Sequence, residues 1–250
     1  MSNTKTQRVR LSIPCYGDVY MGTVSAILAA TKNAIGKYDL QVDFASTSAT
    51  PFCFNKCLQA AYYSDCDYWI MLHSDIKPVG DNWVDVLLGE LEVENLSVIS
   101  AVAAIKTPEG LTSTAVDTRE SFPRRLTLKE INAGPETLTN EKCKKIYGKR
   151  LLINTGVMAW KMKDMRPLIP ELPFEFHDRF ITRTGPQGPY MIPDFMPEDW
   201  LMSRRLDEKG IAYGATRRLH TVHKGAFEFD SSKVYGAETD PQWVATKDLE

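Results

Sequence analysis

Asp67–Asp75, Asp-Tyr-Trp-Ile-Met-Leu-His-Ser-Asp, is apolar almost without a break until it ends abruptly in polar residues. A strand that is apolar at every position, rather than at alternate ones, is covered on both faces, as in a parallel sheet between helical layers. Working outward, Arg8–Cys15 (RVRLSIPC) reads as a first strand ending in a loop. Met21, Val24, Ile27, Leu28 and Ile35 then recur at helical spacing. Leu40–Ser46 (LQVDFAS) is a second strand, with Thr50 as the expected N-cap and Pro51 as the first residue of a helix whose apolar face is Phe54, Cys57, Leu58 and Ala61. On the other side, Asp81 is the expected cap of a helix with a Val84, Leu87, Leu88, Leu91 stripe, and Ser97–Lys106 (SVISAVAAIK) reads as a fourth strand. Strand-helix units in this succession predict an α/β fold with a mainly parallel, Rossmann-like sheet, right-handed crossovers and a ligand cleft at the carboxyl ends of its strands. The first strand-to-helix turn, Pro14–Gly22, lacks G-x-G-x-x-G, which disfavours a simple dinucleotide site.

After Lys106 the periodicity loosens. Residues 107–150 read as an excursion over the surface or a short antiparallel section, and Arg150–Trp160 as a strand broken at Gly156. Residues 167–197 carry prolines at 167, 170, 173, 186, 189, 193 and 197 and aromatics at 174, 176 and 180, a composition expected of an ordered loop beside a pocket. Pro197–Gly210 has Pro at its start and Gly at its end, as a helix does, and Ile211–Gly225 closes the core. A chain of 250 residues without a linker composition is expected to form a single domain, 1–250.

Lys and Arg number 30 against 32 Asp and Glu, a net charge of −2, so there is no global drive toward nucleic acid or anionic membrane. No apolar run approaches the roughly 18 residues that span a bilayer, and a soluble, cytoplasmic protein without a transmembrane segment is expected. Cys15, Cys53, Cys57, Cys66 and Cys143 form no C-x-x-C pair and are expected to be buried, reduced thiols.

The chemistry concentrates where the third strand ends. His73 and Asp75, two residues apart, should project to the same side of a strand, and a carboxylate with an imidazole can hold a divalent ion against departing phosphates. The motif is short, and a turn cap with a locally packed histidine also fits it. Taken in order, a first strand ending in Pro14 and Tyr16, two alternating units, an acidic motif after the third strand, Asn154-Thr155-Gly156, Pro197-Glu198-Asp199-Trp200 and a late histidine resemble the family-two type of GT-A glycosyltransferases. The resemblance implies a GT-A α/β/α sandwich, with residues 1–106 as the nucleotide-sugar half and 107–250 as the acceptor half. It implies transfer of a sugar from a nucleotide-sugar donor, UDP-linked, to a saccharide or cell-envelope hydroxyl with inversion, and a divalent cation, Mn2+ or Mg2+. The family's D-x-D is here His73-Ser74-Asp75, so only Asp75 carries over as the acidic ligand.

Carried over residue by residue, Asp199 becomes the catalytic base, with Glu198 and Trp200 beside the acceptor; as first-turn residues, the two acids should be held ionised by the helix dipole. His223 becomes a metal ligand with Asp75. Lys224 is placed to meet a diphosphate oxygen. Asn154, Thr155 and Gly156 line the sugar site, where glycine permits close approach. Pro14, Tyr16, Ser46, Asn55 and His73 join the donor site, with Asp43 as the alternative to Ser46, and Trp160 offers a second flat face. His220 and His223 lie three apart and should diverge on an extended segment.

Three rivals are distinguishable. Sugar-phosphate nucleotidyltransferases need an early basic glycine-rich loop, whereas Pro14–Gly22 has two glycines and no Lys or Arg. The substituted D-x-D leaves room for a non-catalytic sugar-nucleotide-binding module. Residues 119–150 hold Arg119, Arg124, Arg125, Lys129, Lys142, Lys144, Lys145, Lys149 and Arg150 against Glu120, Glu130, Glu136 and Glu141. Such a segment would fit a hydroxymethylated base of phage-type DNA as acceptor, with the base extruded from the duplex, or simply a solvated face.

Overall fold

All five residues of Tyr68–Leu72 are buried, and the molecule is built around this strand. The computed structural model describes residues 6–118, 123–186 and 188–240. Its first part runs β1 (Gln7–Cys15), α1 (Met21–Ala34), β2 (Tyr38–Ser46), α2 (Thr50–Tyr63), β3 (Tyr68–Leu72), β4 (Ile76–Pro78), α3 (Trp83–Val93) and β5 (Val98–Ala101). There follow β6 (Leu111–Asp117), β7 (Arg124–Thr127), α4 (Leu128–Ala133), β8 (Thr137–Thr139), α5 (Asn140–Tyr147), β9 (Arg150–Leu152), β10 (Val157–Lys161) and α6 (Met162–Met165). A 3-10 helix (Arg166–Glu171) leads to β11 (His177–Gly185), β12 (Gly188–Met196), α7 (Glu198–Glu208), β13 (Tyr213–Thr216), β14 (Thr221–Lys224) and β15 (Glu228–Asp230).

The central sheet has seven strands in the order β2-β1-β3-β10-β5-β13-β8. Neighbours among β2, β1 and β3 are parallel, as are β5 and β13, while β10 and β8 run the other way. Because side chains alternate across a strand, β3 feeds two cores. Trp69 and Met71 pack with α2 and α7, through Phe54, Cys57, Met202 and Leu206. Ile70 and Leu72 pack with α1 and α3, through Ile27, Ala30, Trp83 and Leu87. The result is a mainly parallel sheet covered on both faces, an α/β/α sandwich. Trp160 lies in the first core, edge-on to Trp69 at 5.2 Å, and offers no face to a ligand.

Several boundaries differ from the sequence expectation. Thr50 is the first helical residue of α2, not its cap; Ala49 flanks it, and Pro51 sits within the first two positions, where no intrahelical N–H bond is lost. Asp81 does not cap α3, which starts at Trp83 after Asn82. The fourth strand stops at Ala101, and the chain continues as a buried segment that meets β6 at an Ala104–Thr112 bridge. Of the two forms expected for residues 107–150, a surface excursion or a short antiparallel section, the described residues take the second; Arg119 and Glu120 lie outside them. β6 pairs antiparallel with β7 and β9, and Thr112, Thr114, Ala115 and Leu126 are buried. Polar Thr side chains concealed this burial from hydropathy; Thr112 Oγ1 satisfies itself by donating to the Leu126 carbonyl at 2.7 Å. Residues 177–196 form an antiparallel hairpin rather than a loop. Both strands of a two-stranded sheet are edge strands, the place where sheets hold prolines such as 189 and 193. Arg150–Trp160 is two strands, β9 and β10, in different sheets.

All five cysteines are free, four of them buried, and burial pushes the Cys57 and Cys143 thiols up to about 12. Among the described residues no helix is long and apolar enough to cross a membrane.

α7 is fastened to the antiparallel sheet by a buried carboxylate. Asp117 accepts from Arg204 Nε and Nη2 at 2.9 and 2.8 Å and lies 3.6 Å from Arg150 Nε. Removing one member strands the others' charge, so Asp117→Asn is expected to lower stability by about 3 kcal/mol or more in a urea titration. A change below about 0.5 kcal/mol, typical of surface sites, would mean that this network does not hold α7 in place.

Candidate functional site

Where β1 and β3 end, a cleft of about 300 Å³ opens between the start of α2 and the turn after β3. Pro14, Tyr16, His73 and Asp75 line it together with Thr50 and Phe54, so the structure brings the first four, all sequence candidates for the site, together. β3 stops at Leu72, and His73-Ser74-Asp75 is a turn rather than a strand end, so strand alternation does not orient these side chains. His73 packs against the Phe54 ring at 4.9 Å, and its buried Nε2 has no hydrogen-bond partner. Burial lowers its pKa to about 4, so it is neutral at pH 7.

Asp75 is reached from the far end of the chain. β14 pairs antiparallel with β4, setting His223 opposite Ile76, and the Lys224 amide donates to the Asp75 carbonyl at 2.8 Å. His223 Nε2 then lies 3.4 Å from Asp75 Oδ2. Its Nδ1 is 2.9 Å from the Ala104 carbonyl, which can only accept, so Nδ1 carries a proton and donates. In the neutral ring Nε2 therefore turns a lone pair toward a carboxylate oxygen. Two facing lone pairs are favourable with a cation between them, and a histidine whose other nitrogen donates to a carbonyl is the usual form of a metal ligand. A divalent ion fits this pair; among the described residues no cluster of three or more His, Cys, Asp or Glu could hold one, so further ligands would come from a bound ligand or water.

Lys106, which sequence reasoning passed over as the end of a strand, lies 2.5 Å from Asp75 Oδ2. Burial alone would raise the Asp75 pKa, but the His223 ring when both its nitrogens carry protons, and the Lys106 ammonium, outweigh it and hold the carboxyl well below the usual carboxylate range. Lys224 Nζ lies over the Tyr20 ring at 6.0 Å, and Tyr20 donates to Glu228. His220 is exposed.

Asn154-Thr155-Gly156 supports the cleft from behind. Asn154 donates to the Ala101 carbonyl at 2.8 Å and accepts the Gly156 N–H at 2.9 Å, and the Gly156 carbonyl accepts from His73 N–H at 2.8 Å. Asn154 and Thr155 are buried, and a Cβ on Gly156 would stand 2.4 Å from Ile76 Cδ1. Asn55 is committed elsewhere: its carboxamide donates to the Phe174 carbonyl and accepts the Phe174 N–H. Ser46 is exposed outside the cleft lining, and Asp43 accepts from Ser12 and pairs with Arg10.

Glu198 and Asp199 open α7, but the dipole does not decide their state. Burial, with a smaller contribution from the Glu198 charge, lifts Asp199 to about 7, although the Trp200 N–H and Arg125 pull the other way. Burial also raises Glu198. The Trp200 indole donates to the Ser113 carbonyl at 3.0 Å, and the Arg125 guanidinium stacks 4.6 Å above its ring. Ser113 N–H in turn bonds the Ala103 carbonyl, next to the Ala104 carbonyl that holds His223. A short ladder of hydrogen bonds thus connects the Asp199 helix to the Asp75 cluster.

Among the described residues, most of the basic segment's side chains are paired with acids. Arg124 pairs with Glu130, Lys129 with Glu238, Lys142 with Glu94, Lys144 with Asp207, and Arg150 with Asp207 and Glu208. These pairs consume the charge that a polyanionic DNA acceptor would need, and such an acceptor is not supported.

No protein-family model matches the sequence, and no curated protein is significantly similar to it. Among solved structures, the chain is similar to A197 from STIV, at 15% identity over 93% of this chain and 95% of that one, with a TM-score of 0.53. It is more distantly similar to CMP:2-keto-3-deoxy-manno-octonic acid synthetase in complex with CTP, at 14% identity over 97% of both chains and a TM-score of 0.42. Glucosyl-3-phosphoglycerate synthase from Mycobacterium tuberculosis, in complex with Mn2+, UDP and phosphoglyceric acid, gives 14% identity and a TM-score of 0.40 over 67% of this chain and 59% of that one. The likeness is one of fold: an α/β/α sandwich around a mainly parallel central sheet.

Proposed function

We propose that the chain, as one domain, is a glycosyltransferase that moves a sugar from a nucleoside-diphosphate donor, UDP-linked, to a saccharide or cell-envelope hydroxyl with inversion, in the cytoplasm. The observation that carries this reading is the convergence of His223 Nε2 and Lys106 on Asp75, a residue that lines a cleft at the carboxyl edge of a mainly parallel sheet. Ligands bind in α/β sheets of this kind at that edge.

In this reading the nucleoside lies along Pro14, Tyr16 and Thr50, and the diphosphate reaches Asp75. Asp75 and His223 would hold Mn2+ or Mg2+, which supplies positive charge against the leaving phosphates. Lys224 adds a second positive charge from β14. Asp199 takes the proton of the acceptor hydroxyl as its oxygen bonds the anomeric carbon, the bond from that carbon to the phosphate oxygen breaks, and the nucleoside diphosphate leaves with the electron pair. A pKa of about 7 suits this, because the group is ionised often enough to act and basic enough to accept. Glu198 and Trp200 flank the acceptor, Asn154-Thr155-Gly156 supports the sugar position, and His73, neutral, lines the donor side of the cleft.

A ligand that binds only the native state raises its melting temperature. A panel of nucleotide sugars should therefore raise it with one base and sugar preferred, and more with Mn2+ than without. A flat response across the panel would count against a nucleotide-sugar site.

A further inference from the structure

Lys106 and His223 approach the same oxygen of Asp75, at 2.5 and 3.4 Å. The lysine is placed there by the fold. Its stem lies across Gly225, where an added Cβ would stand 3.1–3.2 Å from Lys106 Cβ, Cγ and Cδ. Gly225 is held in turn by its N–H bond to the Phe227 carbonyl at 2.8 Å. The turn after β3 supplies one carboxylate where the family motif has two acids, and that carboxylate already has a cation.

We propose that Lys106 is an internal counter-ion for Asp75 that a divalent cation must displace, so that metal binding is coupled to arrival of a diphosphate. The proposal rests on the reading of Asp75 and His223 as a metal-binding pair. An ammonium and a divalent ion on one carboxylate oxygen repel each other strongly in a half-buried site, so the metal competes poorly while Lys106 stays. A bound diphosphate offers the ammonium another anion within the swing of its flexible stem, which frees Asp75 for the metal. Metal and donor then enter together, and the cleft does not collect metal alone.

The test is Mn2+ binding to the full chain, followed by the electron paramagnetic resonance of free Mn2+. Lys106→Met keeps the stem against Gly225 and removes the charge. It is expected to bind Mn2+ alone about tenfold more tightly than the wild type, and Asp75→Asn in the same chain should abolish that gain. Inorganic pyrophosphate, after correction for the Mn2+ it holds in protein-free controls, should tighten Mn2+ binding by the wild type more than by Lys106→Met. Equal Mn2+ affinity in wild type and Lys106→Met, or a gain that survives Asp75→Asn, overturns the proposal and leaves the transferase reading untouched. Failure of every protein to bind Mn2+, pyrophosphate included, overturns the metal pair and this proposal with it, while sugar transfer would still be decided by its products.

Discussion

Asp199→Asn is expected to lower kcat by about 10²- to 10⁴-fold, the range for loss of a general base, and to leave donor affinity nearly unchanged. The amide keeps the shape and the contact with the Trp200 N–H but cannot take a proton. Because burial lifts Asp199 to about 7, the wild-type rate should rise with pH through about 7 and then level, and the variant should lose that limb. Stability moves the opposite way. A carboxyl that is raised in the folded state keeps a proton that the unfolded chain releases, so it costs stability as pH climbs from about 4 to about 7, and the full cost persists above. The amide has no such cost, and the variant should melt at the same temperature as the wild type or higher at pH 8. Parallel losses in donor affinity and turnover would instead make Asp199 a donor-site or structural residue.

The second large effect is expected at Asp75. Asp75→Asn removes the charge that meets Lys106, His223 and any metal at that corner, and Mn2+-dependent donor affinity should fall by about 2 kcal/mol or more, about 30-fold. The Lys224 N–H bond to the Asp75 carbonyl is a backbone contact and survives, so the fold should persist. Asp75 is held below the usual carboxylate range, so it stabilises the protein above that range and loses this contribution as pH falls through the folded pKa. The variant should therefore be slightly less stable at neutral pH and differ least in acid. Calorimetric titration with a donor analogue, with and without Mn2+, separates the two quantities. Unchanged donor affinity in a folded Asp75→Asn protein would remove Asp75 from the donor site.

The first hundred residues were legible because parallel strands between helical layers write their burial directly into the sequence: Tyr68–Leu72 has no polar interruption. The antiparallel half was not, for physical reasons. β6 buries threonines, Thr112 and Thr114, whose polar side chains hide that burial from hydropathy, and β12 carries prolines of a kind that sheets hold on their edge strands. At the site, Asp75 was found from its position after a buried strand, and His223 from a resemblance alone. Lys106 left no signal: its ammonium meets Asp75 across 31 residues, with its stem against Gly225, a juxtaposition that no local pattern encodes. Asp199 rests on the resemblance to a Glu-Asp motif, supported by a helix start whose dipole favours charge, whereas burial, which sequence does not show, sets its pKa. Asn55 illustrates the converse, a polar residue on the right helix whose amide is committed to the Phe174 backbone.

The most direct test of the central claim is to identify what leaves the donor. The protein, Mn2+ and a nucleotide sugar selected by thermal shift, with a saccharide acceptor, should release nucleoside diphosphate in step with a glycosylated product whose anomeric configuration is inverted. Release of pyrophosphate from a nucleoside triphosphate and a sugar phosphate would mark a nucleotidyltransferase instead, and tight binding of the nucleotide sugar with no product of either kind would mark a binding module and contradict the account.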